Sequence, residues 1–577
     1  MEIHWEMQEV PDSKLVESLQ AKYKVDVEIA QLMVLRGLTD EVNIKAFFYP
    51  ELAQLHDPLS LLNMEAAVKK ILAVKAEGGK VLLYGDYDVD GTTSVALMSE
   101  VLSKLEIDFT FYIPDRHKEG YGISLKGVDF AKSEGCALLI SLDCGIRALD
   151  EIAYANSLGV EVLVCDHHEQ GERLPDAIVL NPKQEGCSYP NKGLSGCGVA
   201  YKLGCTLLEA LQTEDREEFL IGLLDFVAIS IACDMVSVLG ENRILATHGL
   251  KKINSKPRYF LEKLIGEKIY SKNIQLEDLA FRVGPKINAA GRMQSAALAV
   301  ELMSVKTQER VDALIAEIEA LNLQRKEMDS RCYEEAVSYI ESHSEILEKP
   351  ILVVSSREWH QGVLGIVAAR IMETYKKPTI VLSQNEDNLL TGSARSFGTL
   401  DIHLAIEASK AHLVKYGGHT FAAGLSLHAD NFEAFQKTLF EEASKQHIGP
   451  NSKTQMADLE IAFSSFIPRQ RGQHSRLLKF LDALEPFGPD NPKPVFCSRG
   501  VYCTDSRILK GAHLKLRVTQ QNVHVNVDAI GFHLSNKEAH CTDGIPLKIY
   551  YHLEINEFRG ERRLQLALKD VQEDDSI

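Results

Sequence analysis

Val81-Leu82-Leu83-Tyr84-Gly85-Asp86-Tyr87-Asp88-Val89-Asp90-Gly91 is the stretch whose reading decides the fold. Its first four residues are uniformly apolar, the pattern of a short strand buried on both faces, as in a parallel sheet. Acids then arrive at once, and a helical stretch, Thr93–Lys104, follows. The same grammar recurs downstream. Ala137-Leu138-Leu139-Ile140-Ser141-Leu142 runs into Asp143-Cys144-Gly145, and Val160-Glu161-Val162-Leu163-Val164 leads to Asp166-His167-His168. A fourth run is Ala177-Ile178-Val179-Leu180, and Ala148–Leu158 is one of the intervening helices. In an open parallel sheet the carboxyl ends of the strands share one edge, and ligands bind there. Three successive strands therefore bring at least six potential metal ligands to one crevice. Asp234, which follows the apolar helical run Phe226-Val227-Ala228-Ile229-Ser230-Ile231, is placed to close it from the side.

So many carboxylates do not ionise side by side without a cation, because like charges at short range oppose one another. A divalent ion, or two sharing a bridging carboxylate, resolves the conflict. Oxygen-rich ligation with one or two imidazoles suits Mn2+ or Mg2+ better than a thiophilic ion, so Cys144 and Cys165 read as packing. Two ions about 3.5–4 Å apart are the arrangement for in-line attack on a phosphodiester. An acid at a strand end is more often a helix cap or turn former, but three such ends together are poorly explained that way. Asp86-x-Asp88-x-Asp90-Gly91 also resembles the start of a calcium loop. That loop requires Glu at its twelfth position, here Leu97, and a preceding helix where this chain has a strand.

At 577 residues the chain is long enough for three to five domains. Its 45% hydrophobic and 25% charged residues are those of a globular protein. The net charge of −19 excludes a histone-like polycation but not a local nucleic-acid footprint. Eleven cysteines without a C-x-x-C pair match neither a zinc site nor a disulfide framework. With no basic–apolar leader in Met1–Glu6 and no membrane-length apolar run, the expected compartment is the cytoplasm. The pattern divides into an N-terminal extension (1–60), a parallel-sheet metal domain (61–250) and a linking region with a long helix (251–345). A second α/β domain (346–450) and a β-rich domain (455–577) complete it. The long helix runs from Thr307 to about Ser342, with Val311, Leu314, Ile315, Ile318 and Leu321 at core spacing. In the tail, Leu514–Val518, Val523–Val527, Ile549–Leu553 and Leu564–Leu568 suggest a small barrel.

The D-x-D-x-D-G, D-C-G and D-H-H motifs, in this order and spacing, resemble those of the DHH phosphoesterase superfamily, and within it the bacterial single-strand exonucleases. The likeness continues through Pro114-Asp115-Arg116, Glu119-Gly120-Tyr121-Gly122, Gly284–Met293, Gly392-Ser393-Ala394-Arg395-Ser396 and Gly417-Gly418-His419. The last is the glycine-rich signature of the superfamily's accessory (DHHA1-like) domain. The resemblance implies metal ligation by Asp88, Asp90, Asp143, His167 and Asp234, with Asp86, Asp166 and His168 as outer or alternative ligands. It implies an α/β multidomain fold with an OB-like barrel, and a metal-dependent exonuclease that degrades single-stranded DNA from the 5′ end in repair and recombination. Helicase and single-strand-binding-protein partners and a monomeric state come with it. Two alternatives remain: a phosphodiesterase of short oligonucleotides or cyclic dinucleotides, and a non-catalytic binder, for which eroded ligands would be expected.

Strand-holding residues follow on the same footing. Arg292 is implied as a strand contact. Ser393 and Arg395, with Arg116, suit a terminal phosphate, since a guanidinium pairs bidentately with it. Gly418 and His419 offer a backbone nest or a tight turn. Tyr121 reads equally as a stacking surface or as interdomain packing. Arg243 to Arg292 contains eleven Lys+Arg against four Asp+Glu, a candidate phosphate track. Gly193–Gly198 follows a loop and not a strand, so it reads as a turn before a helix near Gly198 and not as a nucleotide loop. Tyr550, Tyr551 and Phe558 are candidates for stacking in the barrel, or for its core.

Overall fold

The computed structural model describes residues 4–9, 12–266, 273–446, 454–467, 475–521, 523–541, 544–558 and 561–576. The boundary near Pro450-Asn451-Ser452 and the side chain of Phe558 lie outside the described residues.

The metal domain is built on a five-stranded parallel sheet. Its elements are β1 (Lys80–Gly85), α1 (Val89–Lys104), β2 (Phe109–Tyr112), β3 (Cys136–Leu142), β4 (Glu161–Cys165) and β5 (Ile178–Leu180). The strand order is β2-β1-β3-β4-β5 and every pairing is parallel. The apolar runs are buried as expected: Val81, Leu82, Leu83, Tyr84, Leu138, Leu139 and Ile140 are fully inaccessible. Because β1, β3 and β4 are immediate neighbours, Asp86, Asp143 and Asp166-His167-His168 emerge along one continuous edge. The helix α1 begins at Val89, four residues before the expected Thr93. Asp88 caps it, its carboxylate accepting from the Gly91 N–H at 3.1 Å. Gly91 is required there, since a β-carbon would lie 2.4 Å from the Asp86 carbonyl oxygen.

Helices α2 (Gly196–Ala210) and α3 (Arg216–Asp234) pack on α1. A helix α4 (Gly284–Met293) and the 35-residue α5 (Gln308–Ser342) lead to the accessory domain. On α5, Val311, Leu314, Ile315 and Ile318 are buried, while Leu321 is half-buried. The accessory domain comprises β6 (Leu352–Ser356), α6 (Leu364–Tyr375), β7 (Thr379–Gln384), β8 (Leu389–Arg395), β9 (Lys415–His419) and β10 (Ala422–His428). Its sheet order is β9-β10-β8-β7-β6, with only β6–β7 parallel.

The other compact unit joins residues 1–54 and 237–244 to the β-rich tail from 452 onward. Here β11 (Phe496–Leu509), β12 (His513–Gln520), β13 (Val523–Gly531), β14 (Leu547–Phe558) and β15 (Glu561–Glu573) close into a five-stranded barrel through the β11–β14 pairing. Ile29, Leu32, Met33 and Phe47 from the N-terminal segment share one apolar core with Phe496, Leu516, Ile549 and Leu566. Arg243 belongs to this core region. Its guanidinium donates to the carbonyls of Phe47 (2.8 Å) and Glu485 (2.7 Å) and lies 3.7 Å from the Phe47 ring centre.

Tyr550 and Tyr551 are core and not stacking surfaces. Tyr551 points into the barrel with its hydroxyl 2.8 Å from Ser498 Oγ, and Tyr550 stacks on Trp5 at 4.3 Å. Among the described residues no helix is long and apolar enough to cross a membrane.

Candidate metal centre and strand site

The sheet edge gathers three overlapping donor sets, each with its ligand atoms within 4.8 Å of one another. They are Asp86, Asp88 and Asp143; Asp90, His167 and Asp234; and Asp143, His167 and His168. Asp143 and His167 each belong to two sets. His167 Nε2 lies 3.1 Å from Asp143 Oδ1, 3.6 Å from Asp234 Oδ2 and 3.7 Å from Asp90 Oδ2.

Electrostatics identify what the cluster lacks. Burial, then the charge of Asp88, pushes the Asp86 carboxyl well above its usual range. Asp143 is raised in the same way by burial and by Asp90, Asp88, Asp86 and Asp234. Asp234 is pushed up to about 9 by burial, Asp90 and Asp88. Burial lowers His167, favouring the neutral imidazole that metals take. Asp86 Oδ1, Asp143 Oδ1 and His167 Nε2 are buried and make no hydrogen bond. Buried polar atoms are nearly always satisfied, so three orphans converging from three strands fit one or two cations.

Each donor is aimed by a neighbour. Asp90 is clamped by the Gly196 N–H (2.7 Å), the Cys197 N–H (2.8 Å) and the Ser230 hydroxyl (2.7 Å). The glycine segment is therefore the first turn of α2, starting at Gly196 under a Ser195 cap, and its amides serve the acid. Hydrogen bonds to a charged group are worth roughly 1.5–3 kcal/mol each, which fixes Asp90 firmly. Asp166 accepts from the N–H groups of Ile146 (3.0 Å), His167 (2.7 Å) and His168 (3.1 Å), and its Oδ1 lies 2.8 Å from His168 Nδ1. Burial opposes its charge, yet the His168 hydrogen bond and these donors hold it down to about 2. Both its oxygens are thus engaged, and it orients His168. Burial also works against charge on His168, but Asp166 lifts it above the usual imidazole value. Tyr121 reaches the same imidazole, its hydroxyl 3.1 Å from His168 Nδ1, while its ring is 54% exposed.

Beside the acids stands a group of guanidinia. Arg116 lies over the Tyr87 ring at 4.6 Å, next to Asp86. Burial, then the charges of Arg116, Arg325 and Arg395, lowers Arg292 to about 10. Burial and Arg116 likewise lower Arg395. Among the described residues Arg116, Arg292 and Arg395 make no close ion pair, and Arg116 acts on Asp86 only at longer range. Arg292 is seated by Gly362, whose carbonyl accepts from its Nη1 at 3.1 Å. A β-carbon on Gly362 would lie 2.3 Å from the Arg292 carbonyl oxygen. Ser393 and Arg395 project beside Gly365 at the start of α6. Gly418 and His419 lie on the exposed edge strand β9 of the same sheet.

The basic run Arg243–Arg292 is not one phosphate track. Arg243 serves the barrel unit's core, Arg258 pairs with Asp225 (2.8 Å) and Glu100, and Lys252 pairs with Asp225. Arg282 pairs with Asp278 and Lys286 with Glu319. Lys268 and Lys272 lie outside the described residues. Arg292 alone reaches the arginine group. Sequence reading missed Arg325 on α5, whose Nε is buried without a partner, because a single Arg in an amphipathic helix carries no signal.

A parallel sheet with a buried acid–imidazole edge, followed by a mixed accessory sheet, defines a DHH-type phosphoesterase. Residues 80–231 match the DHH family, N-terminal domain, 348–445 match the DHHA1 domain, and 470–570 match the RecJ OB domain. The chain is 33% identical over 574 residues to the single-stranded-DNA-specific exonuclease RecJ of Bacillus subtilis (strain 168), covering 99% of this chain and 71% of that one. It is 34% identical over 535 residues to the protein of the same name from Salmonella typhimurium, covering 89% and 90%. The crystal structure of RecJ in complex with Mn2+ from Thermus thermophilus superposes with a TM-score of 0.81 at 25% identity, covering 100% of this chain and 80% of that one. A second structure, exonuclease RecJ bound to manganese, gives 0.60 at 29% identity, covering 69% and 97%. The chain belongs to the RecJ family of single-stranded-DNA-specific exonucleases.

Proposed function

We propose that this chain hydrolyses single-stranded DNA from the 5′ end to 5′-mononucleotides, using two Mn2+ or Mg2+ ions. One juxtaposition carries the reading: unpartnered donors that want cations lie beside unpaired guanidinia that want phosphate, with Arg116 at the seam. Asp86, Asp88 and Asp143 would hold one ion, and Asp90, Asp143, His167 and Asp234 the other. Bound there, the ions would supply a hydroxide nucleophile at neutral pH and stabilise the charge of the in-line transition state. Asp143 is the shared carboxylate. Asp166 keeps His168 turned toward Tyr121 at the open side of the site. Ser393, Arg395 and Arg116 grip a terminal phosphate, and Arg292 holds the backbone.

The reading assigns metal chemistry to residues 61–250, linkage to 251–345, strand grip to 346–450 and the OB-like barrel to 455–577, with residues 1–54 of the N-terminal extension (1–60) supporting the barrel. It includes a cytoplasmic monomer in DNA repair and recombination, acting on strands opened by a helicase or coated by single-strand-binding protein. Eleven free thiols suit a reducing compartment.

A phosphodiesterase of short oligonucleotides needs the two α/β domains but not the barrel. Turnover of a dinucleotide and of a strand of about twenty nucleotides separates the two readings. The expected result is a kcat/KM at least tenfold higher on the long strand and no turnover in chelator. Faster turnover of the dinucleotide would favour the smaller substrate.

A further inference from the structure

One face of the accessory sheet is divided: α6 covers it over β6 and β7 through Val354, Val367 and Val381, while over β8, β10 and β9 it is polar. On β8, Ser393 and Arg395 pair with Gly424 and Ala422 of β10, and these pair with Gly417 and His419 of β9. Lys415 and Ser426 continue the row. The opposite face, with Leu390, Ala394, Ala423, Leu425 and Leu427, is buried. The floor of the polar face is open: a β-carbon on Gly417 would meet nothing within 4 Å, and one on Gly424 only the Gly392 carbonyl oxygen at 3.9 Å.

At the end of this floor, β9 turns into β10 through Thr420 and Phe421. The turn is pinned on three sides. The Thr420 carbonyl accepts from the Ile402 N–H (3.1 Å), and the Phe421 carbonyl accepts from the Ser396 N–H (2.9 Å). The Thr420 hydroxyl donates to Asp401 Oδ2 at 2.9 Å. Yet Phe421 is 70% exposed and its ring makes no ring contact among the described residues. Phenylalanine has no role as a turn former, where Gly, Asn and Asp are preferred. It contributes nothing to the core either. A rigid backbone thus holds an aromatic ring in solvent, next in sequence to Ala422, the pairing partner of Arg395.

We propose that Phe421 is a stacking platform for a base of the bound single strand, adjacent to the phosphate gripped by Ser393 and Arg395. The inference rests on the single-strand reading above and adds the residue that holds a base. Every base offers a π-face, so such a contact tolerates any sequence, as a general exonuclease requires. The flanking Lys415 and Arg395 supply the charge that would draw the backbone across the floor.

The test uses the full-length protein, the Phe421→Ala and Phe421→Trp variants, and phosphorothioate strands that resist cleavage. 2-Aminopurine is placed at each of the first positions from the 5′ end, and matched strands carry an abasic site there. Phe421→Ala should weaken binding about five- to hundred-fold, and abolish fluorescence quenching at one position. Phe421→Trp should restore both. At that position an abasic strand should bind wild type and Phe421→Ala equally. The inference is overturned if Phe421→Ala binds within twofold of wild type, or if its deficit persists undiminished on every abasic strand. If wild type neither binds nor degrades a single strand, the substrate reading fails with it. Normal degradation without a Phe421 effect removes this inference alone.

Discussion

Asp143→Asn is expected to lower turnover on single-stranded DNA by roughly a thousand-fold or more, the equivalent of about 4 kcal/mol of lost transition-state stabilisation. Asp143 is the carboxylate common to two donor sets, and its buried Oδ1 makes no hydrogen bond although it lies 3.1 Å from His167 Nε2. Asn is the cleaner substitution than Ala, because Asp143 has φ 63° and asparagine tolerates the left-handed region. In chelator the variant should unfold at a higher temperature than wild type. Its wild-type carboxyl is held above its usual range in the fold, so at neutral pH its charge opposes folding, and the amide removes that opposition. Added Mn2+ should raise the unfolding temperature of wild type and do so much less in the variant. Turnover within tenfold of wild type at low Mn2+ would show that Asp143 bridges nothing.

The second large effect concerns the strand end. Two ions act almost symmetrically on a phosphodiester, so polarity has to come from the groups beyond them. Arg116, Arg292, Arg325 and Arg395 act on one another electrostatically, and Ser393 stands with Arg395 beside Gly365, so positive charge gathers at this side of the acids. A charge-assisted pair to phosphate is worth roughly 1.5–3 kcal/mol. Arg395→Ala should therefore reduce use of 5′-phosphorylated strands about ten- to hundred-fold more than use of 5′-hydroxyl strands. Mn2+ binding should be unchanged, which calorimetry of the two proteins would establish. An unchanged ratio of the two rates would move the end-reading pocket elsewhere.

The metal domain was legible because its information is local. Each buried run is continuous, each is followed at once by its acids, and strand adjacency then fixes the shared edge. Phe109–Tyr112 is not legible in the sequence, because four residues in a half-buried strand give little pattern. The start of α1 was misplaced for a different reason: Asp88 both caps the helix and faces the donor cluster, and the second role obscured the first. What supports the site is non-local. Asp90 is held by Gly196, Cys197 and Ser230, more than a hundred residues away, and no periodicity reports such a contact. The barrel unit shows the same limit, since Trp5 donates to Asp570 Oδ2 at 3.1 Å across almost the whole chain. Tyr550 and Tyr551 illustrate how alternation misleads. A register shift in the β14–β15 ladder falls between them; one ring fills the barrel while the outer one is covered by Trp5, so both are buried.

The most direct measurement follows a single strand with distinguishable labels at its two ends, incubated with protein and Mn2+. The account predicts that the 5′ label appears first, as a mononucleotide, while the 3′ label stays in long fragments until late. Chelator should stop release of both. Early release of the 3′ label, internal cuts in both labelled populations, or equal rates in chelator would contradict it.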